Sequence, residues 1–190
     1  MRIIFFNLKK KYYMFMLLLV LAFMGISGYG QNVDDQVLSY EAAMSIKFIE
    51  YLTWPEGSGP ASGKPTIISV LGDSPITPKL KQLASFSSLK IKPKVQTVSA
   101  DDDLSTTNIL FITTTDKSEL NKIIEKIKDF HLLTISSSDG FAKLGVMVNF
   151  FSENIDGRTK VKFEVNLDAV KNKGLKIASS LLKLAKIVNS

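Results

Sequence analysis

Cysteine is absent from all 190 residues. Disulfide stapling, a thiol nucleophile, thiolate metal ligands and a lipid-modified Cys are therefore excluded, and stability must come from packing. Histidine is almost as scarce, with His131 the only one. A lone His at a strand entrance has no second His to complete a metal site or proton relay, so it reads as a structural hydrogen bonder. No G-x-S-x-G nucleophile elbow occurs, and a catalytic triad would have to pair His131 with an unplaced serine. The turn Leu71-Gly72-Asp73-Ser74-Pro75 lacks the glycine spacing of a dinucleotide loop. Gly63-Lys64 is followed by Pro65 and a strand, where a phosphate loop needs Ser or Thr and a helix. Asp101-Asp102-Asp103 has neither the alternating acids nor the distant Glu of a calcium loop. The expectation is a protein that is not an enzyme and carries no cofactor or metal.

Long apolar runs are also few. Tyr12 to Ile26 is about 15 residues, short of the ~20 that cross a bilayer. It follows Arg2, Lys9, Lys10 and Lys11 and precedes Ser27, Gly28 and Gly30, the layout of a signal peptide cleaved after Gly30. An uncleaved anchor is the alternative. Residues 1–30 are thus assigned to a signal peptide and 31–190 to a single exported domain. Removing four positive residues from a formal charge of +6 leaves +2, so the basic pI carries no argument for nucleic acid.

What is present is an alternation of strands and helices. Asp34 or Asp35 is placed to cap a helix running to about Leu52, stopped by Thr53-Trp54-Pro55. Trp54 is read either as a plug under the following Gly/Ser/Pro loop or as the aromatic wall of a groove. Thr66–Leu71 is a buried strand, and a helix is expected from about Thr77 to Phe86. Asp73, at the strand's carboxyl end, is a candidate ligand contact or a brace of its own turn. Strands follow at Lys94–Val98, Asn108–Thr113 and His131–Ser136, with a helix capped by Ser118 in between. Asp156-Gly157 predicts an antiparallel hairpin of Val146–Phe151 with Thr159–Asn166. The last element is expected to be a closing amphipathic helix, capped by Asn166, with Leu175, Ile177, Leu181, Leu184 and Val188 inward and Lys176, Ser179, Ser180 and Lys183 outward. The fold class is α/β: a three-layer sandwich on a mixed, mostly parallel sheet ending in an antiparallel hairpin and the closing helix.

Several of these pieces occur together and in order: FIEYLTWP, ISVLGDSP, NILFIT, LLTISSSDGFAKLGVMVNF and FEVNLDAVKNKGLKIASSLLKLAKIV. The combination resembles the YfiR family of exported bacterial proteins over residues 37–188. The resemblance implies a periplasmic, dimeric regulator without catalytic activity that holds an inner-membrane diguanylate cyclase inactive until a stress signal or outer-membrane partner removes it. Cyclic di-GMP signalling and biofilm formation would follow its release. Family members carry redox-sensing cysteines, and with none here thiol sensing is excluded. A small-molecule receptor acting on a sensor histidine kinase or other membrane receptor is the alternative, with a groove near Trp54, Asp73 and Asp139 to Phe141. The family-matching positions with chemistry to offer are Trp54 and Pro55, Asp73, Asp139 and Phe141, Asn149, Glu164 and Asn166, and Lys176, Ser179 and Ser180. Each has a plainer role open to it, such as helix cap for Asn166 or solvated charge for Lys176.

Overall fold

A computed structural model describes residues 33–61 and 63–189. The expected signal peptide and its boundary at Gly30 lie outside the described residues. The chain runs α1 (Val33–Tyr51), β1 (Leu52–Thr53), β2 (Ile67–Leu71), α2 (Ile76–Phe86), β3 (Lys94–Val98), β4 (Ile109–Ile112), α3 (Lys117–Lys126) and β5 (Leu133–Ser136). A 3-10 turn (Phe141–Leu144) then leads to β6 (Val148–Ile155), β7 (Arg158–Asn166), α4 (Leu167–Asn172), β8 (Lys176–Ile177), α5 (Ser179–Leu182) and β9 (Lys186–Val188).

Seven strands form one sheet in the order β3-β2-β4-β5-β6-β7-β9, and β1 pairs with β8 in a separate two-stranded sheet. Strands β3 to β6 are parallel, β6 and β7 are antiparallel, and β9 lies parallel to β7. Hairpin β6-β7 turns through Asp156 at φ 52° and Gly157 at φ 72°. Two consecutive left-handed residues match the twist of the flanking strands, which is why Asp-Gly is the local signal for this turn.

Period-two alternation along the strands splits the interior into two cores. Ile109 and Phe111 of β4 join Ile68, Val70, Leu133 and Ile135 beneath α1 and α2, with Phe48 edge-on to Phe163. Leu110 and Ile112 point the other way, to Leu120 and Ile123 of α3, Phe141 and Leu104. No helix links β3 to β4: residues 99–108 cross the sheet as a loop, and Leu104 supplies the apolar cover there. The Asp triplet braces this loop, Asp102 accepting from Ser99 N at 2.7 Å and Asp103 from Ser105 N at 2.8 Å.

Three expectations change. Asp116, rather than Ser118, caps α3, accepting from Glu119 N at 2.9 Å. Asp34 and Asp35 lie in the first turn of α1 instead of capping it, and still face the positive end of the helix dipole. The closing helix does not exist as one element. Asn166 does cap a helix, accepting from Ala169 N at 2.9 Å, but α4 ends at Asn172 because Gly174 turns left-handed at φ 67°. Ile177 then pairs with Leu52, and after the single turn of α5 the chain adds β9 beside β7. Leu175, Ile177 and Leu181 are buried as expected, whereas Leu184 is 69% exposed.

Candidate functional site at the carboxyl ends of the strands

The topology singles out one edge of the sheet. From β2 the chain leaves through α2 on one face, and from β4 through α3 on the other, so their connections diverge above neighbouring strands. In open α/β sheets ligands bind in such a crevice. Its floor is tied down locally. Gly72 N donates to Val98 O at 2.8 Å, the Thr113 hydroxyl donates to Leu71 O, and Ser138 Oγ donates to Thr114 O at 2.7 Å. Gly72 has φ 78°, a conformation that glycine adopts without a Cβ penalty.

Around this floor stand hydroxyls and carboxylates. Asp73 and Asp139 are exposed beyond β2 and β5. Glu41 of α1 is different: it is 5% exposed, and burial pushes its carboxyl up to about 7, opposed by a hydrogen bond from the Ser137 side chain. Desolvation wins over that bond because it penalises the ionised form without a compensating cation. Ser45, one turn on, donates to the Glu41 carbonyl at 2.7 Å. Lys79 pairs with Asp35 at 2.7 Å and joins the first turns of α1 and α2. Glu41 was not among the residues singled out from the sequence. Its signal was there, since Glu41 and Ser45 occupy the same three-and-four-spaced stripe as Leu38, Ala42, Phe48 and Leu52.

The arrangement is suited to binding and offers no acid-base pair with histidine. His131 lies at the amino end of β5, where its Nδ1 donates to Lys173 O at 2.7 Å. Ser137 is six steps further along a mostly extended stretch of chain, roughly 20 Å away at strand rise. Among the described residues no group of three His, Asp or Glu is disposed to hold a metal.

The other sequence-selected positions scatter into two further groups. Trp54, Pro55 and Lys176 meet at the amino end: Thr53 pairs with Lys176, and a Cβ on Gly174 would stand 2.8 Å from Pro55 Cγ. Trp54 is partly buried against the first core beneath the following loop, so close to Gly59 that a Cβ there would come within 2.7 Å of the indole. The indole therefore packs under that loop, away from Asp73 and Asp139. Ser179 and Ser180 are exposed on α5. Phe141, Asn149 and Asn166, expected to present exposed chemistry, are instead buried to 1% or less. Phe141 fills the second core, because Gly140 and Gly145 fold the 3-10 turn back onto the sheet. Asn166 spends its amide holding Ala142 O at 2.7 Å as well as capping α4. Asn149 pairs in register with Glu164, whose carboxylate meets Lys186 at 2.8 Å.

Among solved structures, the chain is similar to an ABC domain from Streptococcus pneumonia in complex with L-Trp, with a TM-score of 0.52 and 12% identity over 78% of this chain. It spans about 60% of that chain's length, and the likeness is one of fold. A family model described as YfiR/HmsC-like matches residues 39–186, from the middle of α1 to the start of β9. On a match covering well over half of its length, the chain belongs to the YfiR/HmsC-like family.

Proposed function

We infer that this protein is an exported, periplasmic, non-catalytic regulator that docks on the periplasmic part of an inner-membrane signalling enzyme of the diguanylate cyclase type and represses it. The family match over residues 39–186 carries the reading. Repression by docking needs only differential affinity: the partner's inactive state is populated in proportion to how much more tightly this chain binds it. The absence of cysteine means that any release signal acts on packing, charge or a ligand rather than on a disulfide. Deleting the gene is expected to raise cellular cyclic di-GMP and adhesion, and cross-linking in cells to recover a membrane protein with a periplasmic domain. Unchanged cyclic di-GMP together with no such partner would remove the proposal.

A second reading is favoured by the carboxylates of Asp73, Asp139 and Glu41 gathered at the strand ends and by a fold neighbour solved in complex with L-Trp. In it, a small polar ligand at the carboxyl end, contacting Asp73, Asp139 or Glu41, tunes docking onto a cyclase, a sensor histidine kinase or another receptor. A thermal-shift screen of amino acids and other exported metabolites tests it, because a ligand of the folded state raises the melting temperature by mass action. A blank screen at millimolar concentrations discards it.

A further inference from the structure

A cavity of about 310 Å³ opens at the amino end of the strands, opposite the crevice. That volume is near the lower end of the ~300–1,000 Å³ of small-molecule sites. Its walls are residues 57–59, the loop 105–108 and residues 129–131 ahead of β5. Asn108 is the fixed part of the wall. It is 8% exposed; its backbone N–H donates to Ile67 O at 3.0 Å, its carbonyl accepts from Leu133 N at 2.9 Å, and its Oδ1 accepts from Ile67 N at 2.8 Å. These bonds hold the side-chain amide in place and engage every polar atom of the residue but Nδ2, which has no partner among the described residues.

Around that one fixed donor the groups are mostly acceptors. Ser58 Oγ gives its proton to Pro55 O at 2.9 Å and Ser105 Oγ gives its own to Asp103 at 2.8 Å, so both hydroxyls have only lone pairs left to offer. His131 Nδ1 donates to Lys173 O, which makes Nε2 of the neutral ring an acceptor. Asp129 is exposed, and its charge acts on Lys173, whose ammonium is committed to the carbonyls of Ile127 and Lys128. One carboxylate answered by one nearby ammonium leaves the cavity close to neutral. Phe130, packed partly against the second core, adds an apolar surface.

We propose that this cavity binds a neutral polyhydroxyl ligand, a mono- or disaccharide. A sugar hydroxyl both donates and accepts, so one ring supplies protons to Asp129, His131 Nε2 and the two serine oxygens while one of its oxygens takes the Asn108 amide. Phosphates and carboxylates lack the protons that these acceptors need, and a simple ammonium leaves the Asn108 donor unmatched. Phe130 gives the C–H face of the ring an apolar partner. The proposal rests on neither reading of function given above.

Trp54, the one tryptophan of the chain, stands against Gly59 in the cavity wall and serves as the local reporter. Ribose, glucose, galactose, mannose, maltose and lactose are titrated to tens of millimolar, well above the Kd of a weak site. At least one is expected to give a saturable change in Trp54 fluorescence together with a higher melting temperature. Stabilisation by sugar exclusion from the surface does not saturate and is common to all variants, so it is told apart. Asn108→Asp keeps the acceptor for Ile67 N and removes the amide donor; Asp129→Ala removes an exposed acceptor and keeps the test decisive if the replacement at 108 does not fold. Each is expected to weaken binding by about tenfold, and Lys81→Gln on α2 to leave it unchanged. No saturable response to any of these sugars, a response that either cavity replacement leaves unchanged in a folded protein, or a response to putrescine or phosphate with the sugars silent would overturn the proposal.

Discussion

The two ends of the parallel strands use polar residues in different ways. At the amino end several side chains are engaged in holding the fold, although Trp54 Nε1 is buried without a partner and an open pocket of about 310 Å³ lies between residues 57–59, 105–108 and 129–131. His131 holds Lys173 O, Lys173 Nζ donates to Ile127 O at 2.7 Å and so closes the end of α3, and Trp54 seals the first core beneath Gly59. At the carboxyl end, hydrogen bonds tie down the floor but leave Asp73 and Asp139 in solvent and Glu41 buried at an energetic disadvantage. Changes at Trp54 and Lys173 should therefore cost stability, whereas the exposed Asp73 and Asp139 can be altered with little effect on the fold.

The sharpest break of that contrast is Trp54→Ala. Removing the plug is expected to destabilise by about 3 kcal/mol, through lost burial and a cavity that the loop only partly fills. Chemical denaturation reads this directly, and a loss under 1 kcal/mol would mean that the indole is not part of the core. Glu41→Gln comes next and acts with the opposite sign. Because the folded-state value near 7 lies above the ordinary 4.5, the folded protein holds this proton more tightly than the unfolded chain. Its contribution is therefore complete below about pH 4.5 and is lost as pH rises to about 7, a change on the order of 3 kcal/mol. The Gln variant should flatten that part of the melting-temperature profile and be the more stable protein at pH 8. An identical slope in both proteins would show that Glu41 does not titrate in this window.

Lys173→Met tests the amino end again on a smaller scale. Leaving the carbonyls of Ile127 and Lys128, both accepting from Lys173 Nζ just past α3, without their donor is expected to lower stability by about 1 to 2 kcal/mol, or a few degrees in melting temperature. Hydrogen exchange should locate the loss in α3. The smallest effect is expected for Asp73→Asn and Asp139→Asn, within about 0.5 kcal/mol of the parent. If both nevertheless abolish repression in cells, the carboxyl end is the working surface; if both leave repression intact, recognition lies elsewhere.

Much of the fold was legible from short-range pattern. The continuous apolar run of β4 and the Asp-Gly of the hairpin name their structures because the physics behind them acts within a few residues: burial on both faces for one, left-handed backbone for the other. The candidate site was less legible. Asp73 follows from its place after a buried strand, but Glu41 reaches Ser137 across 96 positions of sequence, and only folding brings α1 over β5. Phe141, Asn149 and Asn166 looked like exposed chemistry because an Asn or a turn aromatic carries no mark of which way it faces.

Residues 174–188 draw the line most clearly. Their composition and apolar spacing require that they cover a core, and Leu175, Ile177 and Leu181 do so. Whether they do it as one helix or as strand, turn and strand is not contained in that spacing, since both place these three residues inward. Two distant features decide it. The unpaired Leu52–Thr53 offers hydrogen bonds to β8, and the open edge of β7 at Glu164–Asn166 offers them to β9. Backbone groups at a sheet edge are strong, unsatisfied partners, and meeting them outweighs the few tenths of a kcal/mol per residue by which helix is locally preferred.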